Sequence, residues 1–363
     1  MLATCTRNPQ KRGTPVSIVA EDETLAYLAG LLDGDGYFKI VKSPIRGGRW
    51  TYYHVQVGVQ QLWPGEAVCL FARTFRGKMM KPMVRPGLRP MARCEIHTRK
   101  AEAALPRLLP YLLVKRPQAL LLQELSRLKT EWDRNITHSI RLVRKGKLGA
   151  RPREPSPSDR AAIMERLRSQ LIGLHEGSVQ NSGAVADAEK STSVDGPHRT
   201  CGETLAYLAG IMDSDGSFRI ERRNVKGMLA HQYRISVRAS QVSPSPAIEL
   251  MAKTFGGRVA TRESNLPRHR DLACWSLHDK SAANAINALM PHLVVKRRQA
   301  ELLLELRRRK SEGKLGLTEW THRNRWQRPI RMRKRCYTPE QVAEFERLRR
   351  EVIALHSGEL SVP

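Results

Sequence analysis

This sequence is short of acid. Its 363 residues hold 35 Asp and Glu against 63 Lys and Arg, a formal net charge of +28 and a pI near 10.5. Such an imbalance disfavours a cationic partner and points to a polyanionic one; a ribosomal or simply basic protein is the plain alternative. Paired thiol spacing is also missing. Six cysteines (Cys5, Cys69, Cys94, Cys201, Cys274 and Cys336) form no C-x-x-C step and have no paired His. Neither a zinc centre nor a disulfide framework is expected, and the thiols suit a reducing compartment. No apolar run approaches the roughly 18–20 residues needed to span a bilayer, so no membrane partner is expected. Residues 1–20 contain Arg7, Lys11 and Arg12 and no acid. That composition faintly resembles an organelle transit peptide, but without a clear amphipathic helix it reads better as a basic arm, residues 1–21. An intracellular location is expected, in an organelle or a bacterial cytoplasm.

What is present is a duplication. The tract LAYLAGLLDGDGYFKI at 25–40 returns as LAYLAGIMDSDGSFRI at 205–220, 180 positions later, with eleven of sixteen residues identical. The period is too long for a solenoid. Further matches follow: VQVGVQQ at 55–61 with ISVRASQ at 235–241, RTFRGK at 73–78 with KTFGGR at 253–258, and LLVKRPQA at 112–119 with LVVKRRQA at 293–300. The late segments MERLRSQLIGLH and FERLRREVIALH also correspond. The expected domains are repeat 1 at 22–177, a flexible linker at 178–202 rich in Ser, Gly, Ala and Asp, repeat 2 at 203–358, and a short tail at 359–363. An intein is expected to open on Cys or Ser and close on His-Asn. This chain opens on Met1 and closes SGELSVP, so a free-standing product is expected.

Each unit opens with a predicted helix, 23–33 or 203–213, stopped at Gly36 or Gly216. A strand follows at 37–42, then one at 51–61 that alternates: Tyr53, Val55, Val57 and Val59 point one way, Tyr52, His54, Gln56 and Gly58 the other. In repeat 2, Tyr233, Ile235, Val237 and Ala239 oppose Gln232, Arg234, Ser236 and Arg238. A helix (65–75; 246–255), two strands (78–84 and 91–97; 257–262 and 272–278) and two helices (99–112 and 116–130; 281–292 and 297–310) follow. The expected class is α+β, with antiparallel sheets whose apolar faces lie under helices and whose polar, basic faces stay open.

In the opening helices, Ala26 and Gly30, like Ala206 and Gly210, form a small-residue stripe that lets two helices approach backbone to backbone. Packed there, the copies would bring Asp35 and Asp215 within a few ångströms. Carboxylates so placed repel unless a divalent cation lies between them, and hard oxygen donors without His or Cys suit Mg²⁺ better than zinc. Asp33 and Asp213 read as turn caps or braces of the helix junction. All four acids as ordinary turn residues is the bland alternative. Two equivalent acidic centres in a basic chain suit chemistry done twice on a two-fold symmetric substrate, and duplex DNA is the obvious one.

On these residues, LAGLLDGDG and LAGIMDSDG resemble the defining motif of the LAGLIDADG homing endonucleases in their single-chain, two-motif form, across roughly 310 residues. The resemblance implies tandem α-β-β-α-β-β-α repeats forming a pseudo-two-fold, DNA-embracing saddle. It implies that Asp35 and Asp215 bind Mg²⁺ or Mn²⁺, with the carbonyls of Gly34 and Ser214 joining the metal shell. Ser214 departs from glycine but still offers its carbonyl. Lys115 and Lys296 match the family's basic residue, which could polarise or help deprotonate the attacking water or stabilise the phosphorane-like charge, with phosphate contact alone as the plain alternative. Gln61 and Gln241 match a polar residue at the end of the second strand; Gln60 is a rival that strand parity puts on the groove face.

For readout, Lys39, Tyr52, His54 and Gln56 share the open face in repeat 1, and Arg219, Arg223, Gln232, Arg234 and Arg238 in repeat 2. Arg and Gln pair bidentately with guanine and adenine edges in the major groove, where antiparallel ribbons can lie. The stretch 322–335, with Arg323, Arg325 and Arg331, is read as a phosphate clamp, and 141–147 as its weaker counterpart. The resemblance implies a monomeric endonuclease that makes metal-dependent double-strand cuts with short 3′ overhangs in a long, pseudo-palindromic target and so mobilises a group I intron. An RNA-binding maturase acting on its own intron RNA, alone or alongside the nuclease, and a DNA-binding regulator remain open.

Overall fold

The computed structural model describes residues 21–45, 50–80, 82, 89–144, 157–176, 199–223, 232–264, 270–313, 316–323 and 329–357. The first unit runs α1 (Glu21–Asp35), β1 (Gly36–Ile45), β2 (Trp50–Leu62), α2 (Glu66–Phe75), β3 (Lys78–Met79), β4 (Met91–His97), α3 (Thr98–Leu108), α4 (Arg116–Arg144) and α5 (Pro157–Glu176). The second runs α6 (Cys201–Asp215), β5 (Gly216–Arg223), β6 (Gln232–Val242), α7 (Pro246–Phe255), β7 (Arg258–Arg262), β8 (Leu272–His278), α8 (Asp279–Leu289), α9 (Arg297–Glu312), β9 (Gly316–Arg323), β10 (Pro329–Cys336) and α10 (Pro339–Ser357). The fold is α+β: two four-stranded antiparallel sheets, ordered β1-β2-β4-β3 and β5-β6-β8-β7, plus the two-stranded ribbon β9-β10.

Strand alternation builds both sheets. Val55, Val57 and Val59 on β2 are fully buried, as are Val237 and Ala239 on β6, all on the faces that meet the helices. At matched register, Phe38 pairs with Val57 and Phe218 with Val237, and both phenylalanines are buried. Removing each of these valine and phenylalanine side chains from water contributes about 1.5–3 kcal/mol. The opposite faces carry Tyr37, Lys39, Arg93 and His97 in the first sheet and Arg219, Glu221, Arg234 and Arg238 in the second.

The last helix of each unit is tied to its sheet by one tyrosine–glutamate pair. The Tyr53 hydroxyl donates to Glu165 Oε2 at 2.7 Å, and Lys42 Nζ donates to the same oxygen at 3.1 Å. In the second unit Tyr233 donates to Glu346 Oε1 at 2.7 Å and Arg222 Nη1 at 3.2 Å. α6 opens with a capping box: Thr200 Oγ1 accepts from Glu203 N, while Glu203 Oε2 accepts from Thr200 N. Such a cap contributes on the order of 1 kcal/mol.

Several boundaries differ from the sequence reading. The strand expected at 78–84 is described only over Lys78–Met79. α4 continues to Arg144 rather than ending near 130, and buries Trp132. The basic stretch at 322–335 contributes to a hairpin: Arg323 ends β9, Arg331 lies in β10, and Pro329 pairs with Arg323. Arg325 lies outside the described residues.

Candidate active site

α1 and α6 cross where their glycines meet. A Cβ on Gly30 would lie 2.1 Å from the Tyr207 carbonyl oxygen, and one on Gly210 would lie 2.1 Å from that of Tyr27. Only glycine permits so close an approach of two backbones. Nearly every residue from Leu25 to Asp33, and from Ala206 to Asp213, is buried.

One turn away the helices exchange hydrogen bonds. The Tyr27 hydroxyl donates to Asp213 Oδ2 at 2.8 Å, and Tyr207 donates to Asp33 Oδ2 at 2.7 Å. Each of these acids also receives three backbone N–H bonds from its own unit. Asp33 takes them from Leu113, Val114 and Lys115 at 2.8, 3.1 and 2.7 Å. Asp213 takes them from Val294, Val295 and Lys296 at 2.8, 3.0 and 2.8 Å. Burial pushes the Asp33 carboxyl up, and these donors pull against it. Asp33 and Asp213 are therefore braces of the helix junction, tying α1 or α6 to the turn before α4 or α9.

The helices end at Asp35 and Asp215. Asp215 Oδ2 lies 3.0 Å from the point a Cβ on Gly34 would occupy, so the two C-termini abut. Ser214 is the side chain in that space: its hydroxyl donates back to the Gly210 and Ile211 carbonyls at 3.0 and 3.1 Å. Gln61 Nε2 donates to Asp35 Oδ2 at 2.9 Å and to the Asp213 carbonyl at 3.3 Å. Gln241 Nε2 donates to Asp215 Oδ2 at 2.8 Å. Each glutamine fixes one carboxylate oxygen, Oδ2. The matched glutamines are supported differently. Ser245 Oγ donates to Gln241 Oε1 at 2.7 Å, whereas Gly65 stands at the equivalent place and the buried Gln61 Oε1 has no partner among the described residues. Burial raises the Asp35 carboxyl above its ordinary value; Gln61 opposes this and the neighbouring Asp215 adds to it. Burial likewise raises Asp215, against Gln241 and the two lysines.

The lysines are embedded in the helix ends. Lys115 Nζ donates to the carbonyls of Leu32, Gly34 and Gly36, each at 2.8 Å. Lys296 Nζ donates to those of Met212, Ser214 and Gly216 at 2.8, 3.0 and 2.8 Å. Two of the three N–H bonds of each ammonium are thus taken by carbonyls of a helix C-terminus, where the macrodipole favours a cation, and the third by the first residue of the following strand. Burial lowers both lysine pKa values and the nearby aspartates oppose it. The expected contact with an attacking water is therefore not preformed; the lysines stand as fixed charges behind the acids. The Gly34 and Ser214 carbonyls, expected to face a metal, are already shared with these ammoniums and keep one lone pair each.

The donor set fits a hard divalent cation. Two carboxylates lie side by side at the abutting helix ends, and the repulsion that Asp215 exerts on Asp35 is what such an ion relieves. Among the described residues no group of three or more His, Cys, Asp or Glu could hold a metal ion. A cation here would draw its remaining ligands from water or a bound anion.

On the open faces, Lys39, Arg219, Arg223 and Gln232 are exposed, while Arg234 and Arg238 are half-buried. Tyr52 is exposed and stacks on half-buried His54, ring centroids 5.7 Å apart. Burial lowers the His54 pKa. Gln56, expected on the open face, is buried although it sits at register with Lys39 and His97. Sequence reasoning missed Tyr37, Arg93, Glu95 and Glu221. Arg93 Nε donates to the Tyr37 hydroxyl at 2.9 Å, and both Arg93 and Tyr37 hydrogen-bond to buried Glu95. Their signal was the same strand parity, usable once Gly58 is paired with Glu95 and Glu221 with Arg234.

No protein-family model matches the chain, and no curated protein matches it. Solved structures do. The LAGLIDADG meganuclease I-AabMI bound to uncleaved DNA is similar at a TM-score of 0.55 and 13% identity, over 90% of this chain and 98% of that one. The I-SmaMI LAGLIDADG homing endonuclease bound to cleaved DNA gives 0.54 and 14%, over 90% and 95%. I-SmaMI on an uncleaved target in the presence of calcium ions gives 0.54 and 12%, over 90% and 97%. The I-LtrWI LAGLIDADG homing endonuclease bound to target DNA gives 0.55 and 14%, over 91% and 97%. At these identities the likeness is one of fold.

Proposed function

Because this chain has the fold of the LAGLIDADG homing endonucleases in its single-chain, two-motif form, we propose that it is a site-specific DNA endonuclease cutting both strands of a long, pseudo-palindromic duplex. The observation that carries this reading is the convergence of Asp35 and Asp215 at abutting helix ends, each steadied by a glutamine and backed by a buried lysine. A maturase or regulator built on this fold has no need of two such carboxylates held at a cost in burial.

Asp35 and Asp215, with the Gly34 and Ser214 carbonyls, would hold divalent cations of the Mg²⁺ or Mn²⁺ type. Bound there, such ions supply Lewis acidity and an ionised water for phosphodiester hydrolysis. The protein's own contribution is positional. Gln61 and Gln241 hold the carboxylates in orientation through Oδ2. Lys115 and Lys296, tethered to three carbonyls each, place fixed positive charge behind the acids and so favour negative charge developing on the phosphoryl oxygens. The braces Asp33 and Asp213 keep the lysine-bearing turns against α1 and α6, so both centres hold one spacing. One centre would serve each strand, and the basic sheets on either side would embrace the flanking duplex as a monomer. The biological role we propose is mobility of a group I intron.

The test is Mg²⁺-dependent cleavage of a randomised duplex library by the wild type beside Asp35→Asn and Asp215→Asn. Discrete double-strand cuts, lost or reduced to nicking in either variant, are expected. No cleavage of any duplex together with tight, salt-sensitive binding of structured RNA would move the function to an intron maturase.

A further inference from the structure

The open face of the second sheet carries one acid among its described residues, and that acid gathers arginines. Glu221 on β5 lies opposite Arg234 on β6. Arg234 Nε donates to Glu221 Oε2 at 2.6 Å, Arg238 Nη2 bonds Glu221 Oε1, and Arg223 Nε lies 3.7 Å from Oε2. The Glu221 and Arg234 side chains are each only 19% exposed. Arg238 Nε is buried without a partner among the described residues. A carboxylate on a surface that must meet phosphates is unfavourable by itself, and its position asks for a reason.

We propose that Glu221 is a positioning residue for sequence discrimination: it buttresses Arg234 and Arg238 so that their free guanidinium edges read guanine in the half-site under the second sheet. The proposal rests on the endonuclease reading and adds to it a substrate class, a target with guanine required on one side. An unrestrained arginine swings to the nearest phosphate, and phosphate contacts position a protein without reading sequence. Held through Nε, Arg234 keeps its terminal Nη pair for O6 and N7 of a guanine, the geometry of the commonest specific contact. Held through Nη2, Arg238 keeps its other terminal nitrogen.

The first sheet lacks this device. At the positions equivalent to Glu221, Arg234 and Arg238 stand Val41, His54 and Gly58. Tyr37 lies across Gly58, where a Cβ would meet its ring and hydroxyl. Among the described residues the buttressed arginine there is Arg93, which has Nε on Tyr37 and Nη2 on Glu95 and so keeps Nη1 but not the terminal pair that Arg234 offers. Guanine dependence is therefore expected in one half-site only.

The experiment selects binders from randomised duplex DNA without divalent metal, using the full chain as wild type, Glu221→Gln, Arg234→Lys and Glu263→Gln. The wild type should select a site with guanine in one half. Arg234→Lys keeps the charge and gives up the planar fork; it should lose a guanine preference there and so mark which half the second sheet reads. Glu221→Gln should weaken discrimination at the same positions roughly 5- to 150-fold. It should also bind unselected duplex more tightly, with a log K against log salt slope steeper by about one unit per arginine released. Glu263→Gln makes the same charge change just past β7 and should leave base preference intact. Thermal midpoints near wild type exclude misfolding, and Arg234→Lys carries the test if Glu221→Gln does not fold. Guanine preference unchanged in Glu221→Gln, or untouched by Arg234→Lys, overturns the proposal. A wild type that selects no site at all overturns the endonuclease reading itself, a distinct outcome.

Discussion

Gly30→Ala tests the helix crossing that sets the spacing of the two acids. In an ordinary helix interior this change stabilises by about 1 kcal/mol. Here the new methyl would lie 2.1 Å from the Tyr207 carbonyl oxygen, 3.0 Å from its carbon and 3.1 Å from the Ile211 nitrogen. A comfortable carbon–oxygen contact needs about 3.3 Å, so α1 and α6 must part by roughly 1.2 Å. All three obstructing atoms are backbone, and no rotamer change relieves them. Overpacking costs about 1–3 kcal/mol, and backbone obstruction puts this site at the upper end. After the propensity gain, a net loss of about 2 kcal/mol remains. Urea unfolding of the metal-free protein reads it as a lower midpoint at unchanged m. Parting the helices also separates Asp35 from Asp215, and a displacement of about 1 Å costs on the order of 100-fold in turnover. Single-turnover cleavage should therefore fall further than DNA affinity. Gly210→Ala should behave alike, and the pair should lose less than the sum, because the first methyl has already parted the helices. A neutral or stabilising Gly30→Ala would refute the reasoning.

Four further outcomes follow from the same geometry. Gly34→Ser puts a Cβ 2.0 Å from the Ser214 hydroxyl, so it should lower the thermal midpoint, and Ser214→Gly in the same chain should restore it. Tyr27→Phe or Tyr207→Phe removes one donor from a buried carboxylate and should cost about 1.5–3 kcal/mol in denaturant titration; a loss near zero would deny the cross-helix bonds a role. Burial holds the Asp35 and Asp215 carboxyls above their ordinary value of 3.8, so the folded state binds those protons more tightly than the unfolded chain. That stabilisation is full below the ordinary value and lost as pH rises through the raised one. The metal-free double variant Asp35→Asn, Asp215→Asn should therefore be more stable than wild type at neutral pH, with the gap closing in acid. Mg²⁺ should raise the thermal midpoint of the wild type alone; a wild type as stable as the variant at neutral pH contradicts this. Ser245→Ala frees the Gln241 amide and removes the side-chain cap of α7. It should cost about 1 kcal/mol of stability and slow one strand's cleavage more than the other's, as measured by nicked intermediate.

The elements that carry the site were legible because their periods are strong. The glycine stripe of the opening helices, the alternation from Tyr53 to Val59 and the matched Val-Lys and Gln positions each specify a face or a place in the fold. What stayed hidden depends on partners far apart in sequence. Tyr27 sits in an apolar helix and needs an acceptor, but that the acceptor is Asp213, 186 residues away, follows only from the crossing of α1 and α6. The three-carbonyl seats of Lys115 and Lys296 depend on how the turn before α4 or α9 meets a helix end. Glu95 and Glu221 became visible only with cross-strand register. The hairpin β9-β10 did leave a trace, the alternation of Arg331, Arg333 and Arg335, which the sheer basicity of the stretch obscured.

The contact between Gly34 and Ser214 has a consequence for how the two halves know each other. The tyrosine–aspartate exchange is the same in both directions, so it would join two copies of either half as readily as one of each, in the manner of an isologous dimer. The helix ends would not. Two Ser214 halves would bring two hydroxymethyl groups into room that one fills, and two Gly34 halves would leave that room empty. A lock that is blind to identity is thus joined to a knob and a hole that are not. Expressed as separate polypeptides, the unlike halves would find each other in preference to themselves.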